Sequence, residues 1–339
     1  MAEVLSGTTG HRRRALSAGA LHKLSALLTL AALIVVFSFG NDAFFSVNNG
    51  LTVLLQTAVI GLLGIGMTVV IITGGIDLSV GSVLALAGVV AGLLVKAGIP
   101  VVPAMMLGVA SGTLCGLVNG FVITRMRITP FVATLGMMMI ARGIALQVTG
   151  AAPISRLGEA FGVLGNGALF RILEMGDNGF PRVIFPGIPY PAILLLVMAL
   201  AGAYLLRQRQ VGRHIYAVGS NEEAARLAGV NVARTKIEAY AMSGTLAGLS
   251  GVVLMSRLVT AQPNEGVMYE LDAIAAAVIG GASLMGGVGN ISGTMIGAFI
   301  IGVLRNGLNM AGVSSFIQQI LIGVVVIAAV YIDQVRNRR

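Results

Sequence analysis

Apolar residues run along this chain in long blocks, with no strict alternation. Ten blocks approach span length: Leu24–Phe39, Leu51–Thr73, Ser79–Val95, Val101–Ile123, Pro130–Thr149, Tyr190–Leu206, Ile237–Met255, Leu271–Val288, Ile291–Ala311 and Ser315–Ile332. A helix that crosses a bilayer needs roughly 20 apolar residues. Backbone amides left unpaired in lipid are costly, so only helices or closed barrels span it, and blocks this continuous lack the period-two pattern of barrel strands. The pattern therefore predicts an all-α integral membrane protein with about ten transmembrane helices, some of them broken by glycine. The first block follows Arg12-Arg13-Arg14 and Lys23, as the core of a signal peptide would. Phe37-Ser38-Phe39-Gly40-Asn41-Asp42 offers no small-residue cleavage site, so an uncleaved first span is expected. The Gly-rich eighth block is the least able to hold a continuous helix.

Composition agrees. Hydrophobic residues make up 56% of the 339 positions and charged residues 10%, against about 25% charge in soluble domains. An ordinary soluble enzyme is excluded. Ten spans use about 200 positions, which leaves no room for a large soluble domain. The expected organisation is a basic tail over 1–23, one transmembrane domain over 24–332 and a basic tail over 333–339. Two long connections stand out: an outer one over 150–189, rich in Gly and Pro, and an inner one over 207–236 with the densest charge in the chain.

The net charge is +9. When the N-terminus is placed inside and the spans alternate, most Lys and Arg fall on the cytoplasmic side, few on the outer side, and Arg142 and Arg305 within spans. That asymmetry supports cytoplasmic N- and C-termini and assigns the basic excess to membrane loops; no nucleic-acid partner is expected. Cys115 stands alone, so an intrachain disulfide or Cys-rich metal site is excluded. Among 47 glycines, Gly108, Gly112, Gly116 and Gly120 form a ladder on one helix face, the pattern of close helix packing in lipid.

The ionisable residues bear on energy. Ion-coupled carriers usually carry Asp, Glu or His inside the membrane. Here His11, His22 and His214 lie outside the spans, Glu270 and Asp272 sit at the mouth of the eighth, and Asp77 alone lies between closely adjoining spans. No relay of titratable groups can be assembled. A P-loop needs Lys after Gly, but His22, Val95 and Thr235 precede the three lysines. Uphill transport would need a separate energy-supplying subunit.

Asp77 follows Gly74-Gly75 and precedes Ser79. Gly-Gly weakens a helix, and Asp can cap the next one. A helix break lining a solute path is the second reading, because irregular backbone at membrane depth tends to line cavities. Gly280-Gly281 and Gly286-Gly287 echo this break later in the chain. Arg142 and Arg305 either pair with carbonyls or contact solute; Asn119, Asn306 and Asn309 either join a polar lining or bond between helices. These alternatives stay open. In the inner connection, Ser220-Asn221-Glu222-Glu223 followed by Arg226-Leu227-Ala228-Gly229 predicts one short helix. Ser220 with Glu223 reads as a capping box and Gly229 as the stop. So short a helix is unstable alone in water and must dock, on the protein itself or on a partner.

These residues also carry a resemblance. The segment from Gly66 through Gly74-Gly75-Ile76-Asp77-Leu78-Ser79 to Ser82 resembles the hallmark of ribose-type ABC importer permeases. Asn119-Gly120, Thr129–Gly136, Arg142-Gly143, Gly212–Val230, Glu270–Gly281, Ser283–Gly287 and Asn306-Gly307-Leu308-Asn309 match in order, covering roughly 50–330. The resemblance implies a permease of the bacterial inner membrane that imports a monosaccharide and catalyses no covalent chemistry. It implies a second permease subunit, identical or paralogous, and a periplasmic or lipid-anchored sugar-binding protein. It also implies a cytoplasmic ABC ATPase that carries the ATP and Mg, with the 220–229 segment as its coupling element. A permease for a nucleoside, a signalling furanosyl compound or an amino acid is the alternative. An intramembrane enzyme is more remote, because the spans hold no nucleophile–base or metal set.

Overall fold

The computed structural model describes residues 7–175 and 181–337. Glu3, Asp177 and the terminal Arg338-Arg339 of the charge pattern lie outside the described residues. The chain runs α1(Gly7–Gly40), α2(Val47–Ile72), α3(Val80–Lys96), α4(Val101–Arg125), α5(Pro130–Thr149) and α6(Glu159–Asn166). Four short strands follow, β1(Ala168–Leu169), β2(Ile172–Met175), β3(Pro181–Phe185) and β4(Ile188–Pro189). Then come α7(Tyr190–Gln208), α8(Gln210–Ser220), α9(Glu222–Leu227), α10(Val232–Leu258), α11(Tyr269–Ile279), α12(Ile291–Met310) and α13(Ser315–Asn337).

Among the described residues seven helices are long and apolar enough to cross a membrane; α3 and the apolar stretch Ser315–Val325 of α13 are shorter. The eighth apolar block is no continuous helix. α11 stops at Ile279, and Gly281, Gly286 and Gly287 then adopt positive φ of 92°, 85° and 73° before α12 begins. A Cβ is disfavoured there, so this run of glycines dictates the break. Side-chain caps start the neighbouring helices: Ser46 Oγ accepts from Asn49 N–H at α2, and Asn290 Oδ1 accepts from Gly293 N–H at α12.

Burial sorts the helices into a centre and a periphery. The apolar stretch of α2 is 89% buried, and that of α1 only 6%. Leu63 and Met67 of α2, Val83 and Leu84 of α3, Val253 of α10 and Ala277 of α11 share one core cluster. The glycine ladder of α4 packs on α10. A Cβ at Gly112 would lie 2.5 Å from the Gly244 carbonyl oxygen, and one at Gly116 2.2 Å from that of Tyr240. Only hydrogen at these positions lets the two backbones approach so closely. The ladder is a packing face, as expected.

The outer connection is more ordered than its Gly and Pro content suggests. β1 pairs with β4 and β2 with β3, both antiparallel, as nested ribbons. Ahead of them α6 seats Phe161, fully buried, against the end of α10. Ser256 Oγ donates to the Phe161 carbonyl (2.5 Å) and accepts from Gly165 N–H (2.8 Å).

Candidate functional site

The residues expected on a pathway fall into three groups. The first surrounds Asp77. Its Oδ1 accepts from Ser79 N–H (3.0 Å) and Ser79 Oγ–H (2.6 Å), and its Oδ2 accepts from Ser243 Oγ–H of α10 (2.8 Å). Asn119 Nδ2 of α4 donates in turn to Ser79 Oγ (3.0 Å). Asp77, Ser79 and Asn119 are all buried. Asp77 thus turns the chain into α3 and also ties that turn to α4 and α10. Every hydrogen bond it makes is accepted, so an amide can replace most of them if the Ser243 hydroxyl turns round to accept. Asp77→Asn is expected to retain most uptake. Asp77→Ala leaves buried hydroxyl and amide donors unpaired, at about 1–3 kcal/mol, and should lower the yield of folded protein by gel filtration. The expected cap needs correcting: Ser79 is the N-cap residue of α3, and Asp77 shapes the turn before it by accepting from Ser79. Equal loss in both variants would overturn the turn-and-tie role.

The second group centres on Arg142 of α5. Its Nη1 donates to the carbonyls of Pro263 and Glu265 (2.7 Å for the latter). Those carbonyls belong to the irregular stretch between α10 and α11, where Gly266 has φ +75° and its oxygen abuts Gly81 of α3. A guanidinium here satisfies backbone acceptors that no helix satisfies.

Arg305 anchors the third group. Its Nη2 donates to Asp272 Oδ2 at 2.5 Å, joining α12 to α11. The Asn309 Oδ1 accepts from Gln318 Nε2 at 2.8 Å. Asn306 is buried, and its Oδ1 has no partner among the described residues. The pairing partners Ser243, Asp272 and Gln318 escape sequence reading, because which helix faces which is not written in any single segment. One signal was available: a span-embedded arginine needs a carboxylate, and Asp272 lies at the mouth of the preceding span block.

In the inner connection one expectation needs correcting. Ser220 does not open the short helix. It is the last residue of α8, and Asn221 is the cap, its Oδ1 accepting from Ala224 N–H at 2.9 Å. The Ser220–Glu223 capping box does not form. Ser and Asn cap about equally well, so tertiary packing decides. α8 buries Gly212, Ile215 and Val218 and runs on until Gly219 rests on the Ile72 carbonyl. Glu222 reaches Lys236 (2.6 Å) and Arg226 (3.5 Å). Of α9 only Ala225 is buried; Leu227 is 85% exposed. Gly229, with φ +83°, stops the helix as expected.

The end of α8 meets both helix breaks. Ile72, the last residue of α2, accepts at its carbonyl from Gly287 N–H (2.9 Å). Tyr216 Oη of α8 donates to the Gly289 carbonyl (2.7 Å). A Cβ at Gly286 would lie 3.1 Å from Gly74 Cα and 2.7 Å from the Gly219 oxygen. Gly74 has φ +80°, and Gly75 leaves room for the Tyr240 hydroxyl. The two Gly-rich breaks, far apart in the sequence, form one backbone-to-backbone knot with the charged connection.

Residues 49–330 match a family model described as branched-chain amino acid transport system / permease component. The chain is 42% identical over 321 residues to the ribose import permease protein RbsC of Escherichia coli strain K12, covering 95% of this chain and 96% of that protein. It is 43% identical over 319 residues to RbsC of Bacillus subtilis strain 168, with 94% and 95% covered. The xylose transport system permease protein XylH of Escherichia coli strain K12 is 34% identical over 361 residues, with 92% of each chain covered. These relatives are transport components and not enzymes. With its apolar helices, the chain is a multi-pass protein of the inner membrane, and it belongs to the permease-component family of ABC importers.

Proposed function

We propose that this permease carries a monosaccharide inward, with a pentose the first candidate. Support for the solute class comes from the ribose and xylose permeases, which resemble it over nearly their full length. An amino acid, named in the description of the wider family model, is the competing solute. A nucleoside or furanosyl signal remains a further alternative. Two permease subunits pair with a cytoplasmic ATPase that holds ATP and Mg, and a sugar-binding protein delivers the solute outside. Both termini face the cytoplasm.

The observation that carries the mechanism is the contact of α8 with both helix breaks. α9 is short, exposed and flanked by a polar cleft of about 750 Å3 that includes Arg127, Glu222, Arg226 and Lys236. Seated in the ATPase, Ser220, Asn221, Glu222, Glu223, Arg226, Leu227 and Gly229 form the coupling element. When the ATPase closes on ATP, α9 moves, and α8 passes that displacement to the end of α2 and the 280–290 turn. Gly74, Gly75, Asp77, Ser79, Asn119 and Arg142 hold the breaks and turns in register, whereas Arg305, Asn306 and Asn309 lie towards the opposite end of α12.

Reconstitution with the ATPase and binding protein in liposomes tests this reading. Uptake of labelled pentose driven by enclosed ATP is expected, and uptake of branched amino acids alone would overturn it. Leu227→Asp places a charge where an exposed leucine should meet an apolar groove. It should leave insertion intact and cut sugar-stimulated ATP hydrolysis and uptake at least tenfold. Unchanged stimulation would remove the coupling role from α9.

A further inference from the structure

The polar cleft of about 750 Å3 beside α9 has two walls. One is the turn from α4 into α5, with Thr124, Arg127 and Thr129; the other is α9 and the first turns of α10, with Glu222, Arg226 and Lys236. Three cations face one carboxylate. Glu222 is already shared by Lys236 (2.6 Å) and Arg226 (3.5 Å), so the cleft keeps a net positive charge. Arg127 has no hydrogen bond or ion pair among the described residues. Thr129 opens α5 without using its hydroxyl as a cap.

We propose that this cleft binds a phosphate group, and that the group is the headgroup phosphate of an anionic phospholipid of the inner leaflet. The leaflet and the effect on ATP hydrolysis rest on the coupling reading of α9 above; the binding does not.

Arg127 carries the argument. Its φ is +58°, a left-handed backbone that is costly for a residue with a Cβ and that glycine or asparagine adopts more readily. Arginine there costs stability, and no partner of its side chain among the described residues offsets it. An outlier of this kind points to use of the side chain. A guanidinium offers a planar fork of donors that matches phosphate oxygens. Across the cleft Lys236, its side chain 18% exposed, adds a second positive charge, and Thr129 adds a hydroxyl donor. A phosphate between the walls takes charge-assisted bonds from both.

Depth and surroundings name the source. The cleft lies where spans end: Thr124 is in the last turn of α4, Pro130 begins α5, and Lys236 is in the second turn of α10. That is headgroup level, where basic pockets between spans take anionic lipid. Phe121, Met126, Phe131 and Val132, close in sequence to the cleft residues, are exposed. The apolar stretches of α4 and α5 are only 28% and 22% buried. An acyl chain tied to the phosphate has this apolar surface to lie along, and a soluble anion would leave it unused. The cleft volume equals about 25 waters at about 30 Å3 each, more than a lone phosphate fills and enough for a glycerophosphate headgroup. A lipid that bridges the α4–α5 turn to α9 and α10 steadies the element that meets the ATPase.

The test measures binding first. The native permease is purified in detergent, and bound lipid is read by native mass spectrometry. Phosphatidylglycerol should be retained at least tenfold more than phosphatidylcholine. Arg127→Asn should cut that retention at least fivefold; asparagine tolerates the left-handed backbone, so the turn should keep its fold. Arg207→Asn, at an exposed position of α7 outside the cleft, controls for general surface charge and should retain phosphatidylglycerol as the native chain does. Equal retention by the native chain and Arg127→Asn would overturn the site, as would an equal loss in Arg207→Asn. The second arm uses the whole importer in phosphatidylcholine liposomes with and without phosphatidylglycerol. Solute-stimulated ATP hydrolysis should rise at least threefold with phosphatidylglycerol, and Arg127→Asn should lose that response. Restoration by inorganic phosphate or glycerol 3-phosphate in pure phosphatidylcholine would make the ligand a soluble anion and overturn the lipid. If Arg127→Asn stops the ATPase from co-purifying in every lipid, the cleft belongs to the ATPase and the proposal falls. Phosphatidylglycerol held through Arg127 with no change in hydrolysis would keep the lipid site and break its link to coupling.

Discussion

Gly219→Ala is expected to abolish coupled uptake. A Cβ at this position would lie 1.6 Å from the Ile72 carbonyl oxygen, 2.8 Å from the Ile72 carbonyl carbon and 2.7 Å from Gly287 N. All three are backbone atoms, which cannot rotate aside as a side chain could. α8 must therefore withdraw from the end of α2, and the withdrawal disturbs the Gly287 N–H···O=C Ile72 bond at the same point. Overpacking typically costs about 1–3 kcal/mol, and a buried backbone hydrogen bond left unmade about 1–3 kcal/mol more. The expected result is a fall in uptake of at least a hundredfold in liposomes, with ATP hydrolysis by the assembled complex persisting but no longer responding to sugar. Gly229→Ala is the control. It too is a glycine of the inner connection, with φ +83° but open space around it, so its cost is backbone strain of about 1–2 kcal/mol without a collision. If Gly219→Ala couples as well as the native chain, the knot does not transmit motion.

The sequence made the helices legible and left their partnerships illegible. Long apolar blocks fix spans, because unpaired backbone in lipid leaves few alternatives. The break after Ile279 was visible in the run Gly280-Gly281 and Gly286-Gly287, because positive φ is a local property that glycine announces. The ladder from Gly108 to Gly120 announced a packing face, but nothing local named α10 as its partner. The error at Ser220 has the same origin. Two competent caps stand side by side, and the choice between them is made at Gly219 by a carbonyl on a distant helix. Arg142 and Arg305 looked alike in sequence. One proves to satisfy the carbonyls of an irregular stretch and the other to pair with Asp272, a distinction that only the placement of α11 and its preceding loop supplies.

That second arginine gives the other large effect. Asp272 is nearly fully buried, and Arg305 is about two-thirds buried, its side chain 29% exposed. Removing one partner of a buried pair costs about 3–5 kcal/mol, because the survivor keeps its desolvation penalty and loses its compensation. Arg305→Met strands the more buried carboxylate and should be the worse single change; Asp272→Leu leaves a guanidinium that is partly exposed and can still be hydrated. Thermal stability of the purified permease, read by the fraction staying monodisperse after heating, should fall in that order. The double variant Asp272→Leu/Arg305→Met should recover most of the loss, since a well-packed apolar pair is often as stable as the ion pair it replaces. If the double variant is as unstable as Arg305→Met, the pair is not the source of the effect. Uptake then separates structure from function. Were the pair only a strut between α11 and α12, the double variant would transport as well as it folds. Restored folding with ribose uptake still reduced at least tenfold would instead give Arg305 a part in transport beyond that of a strut.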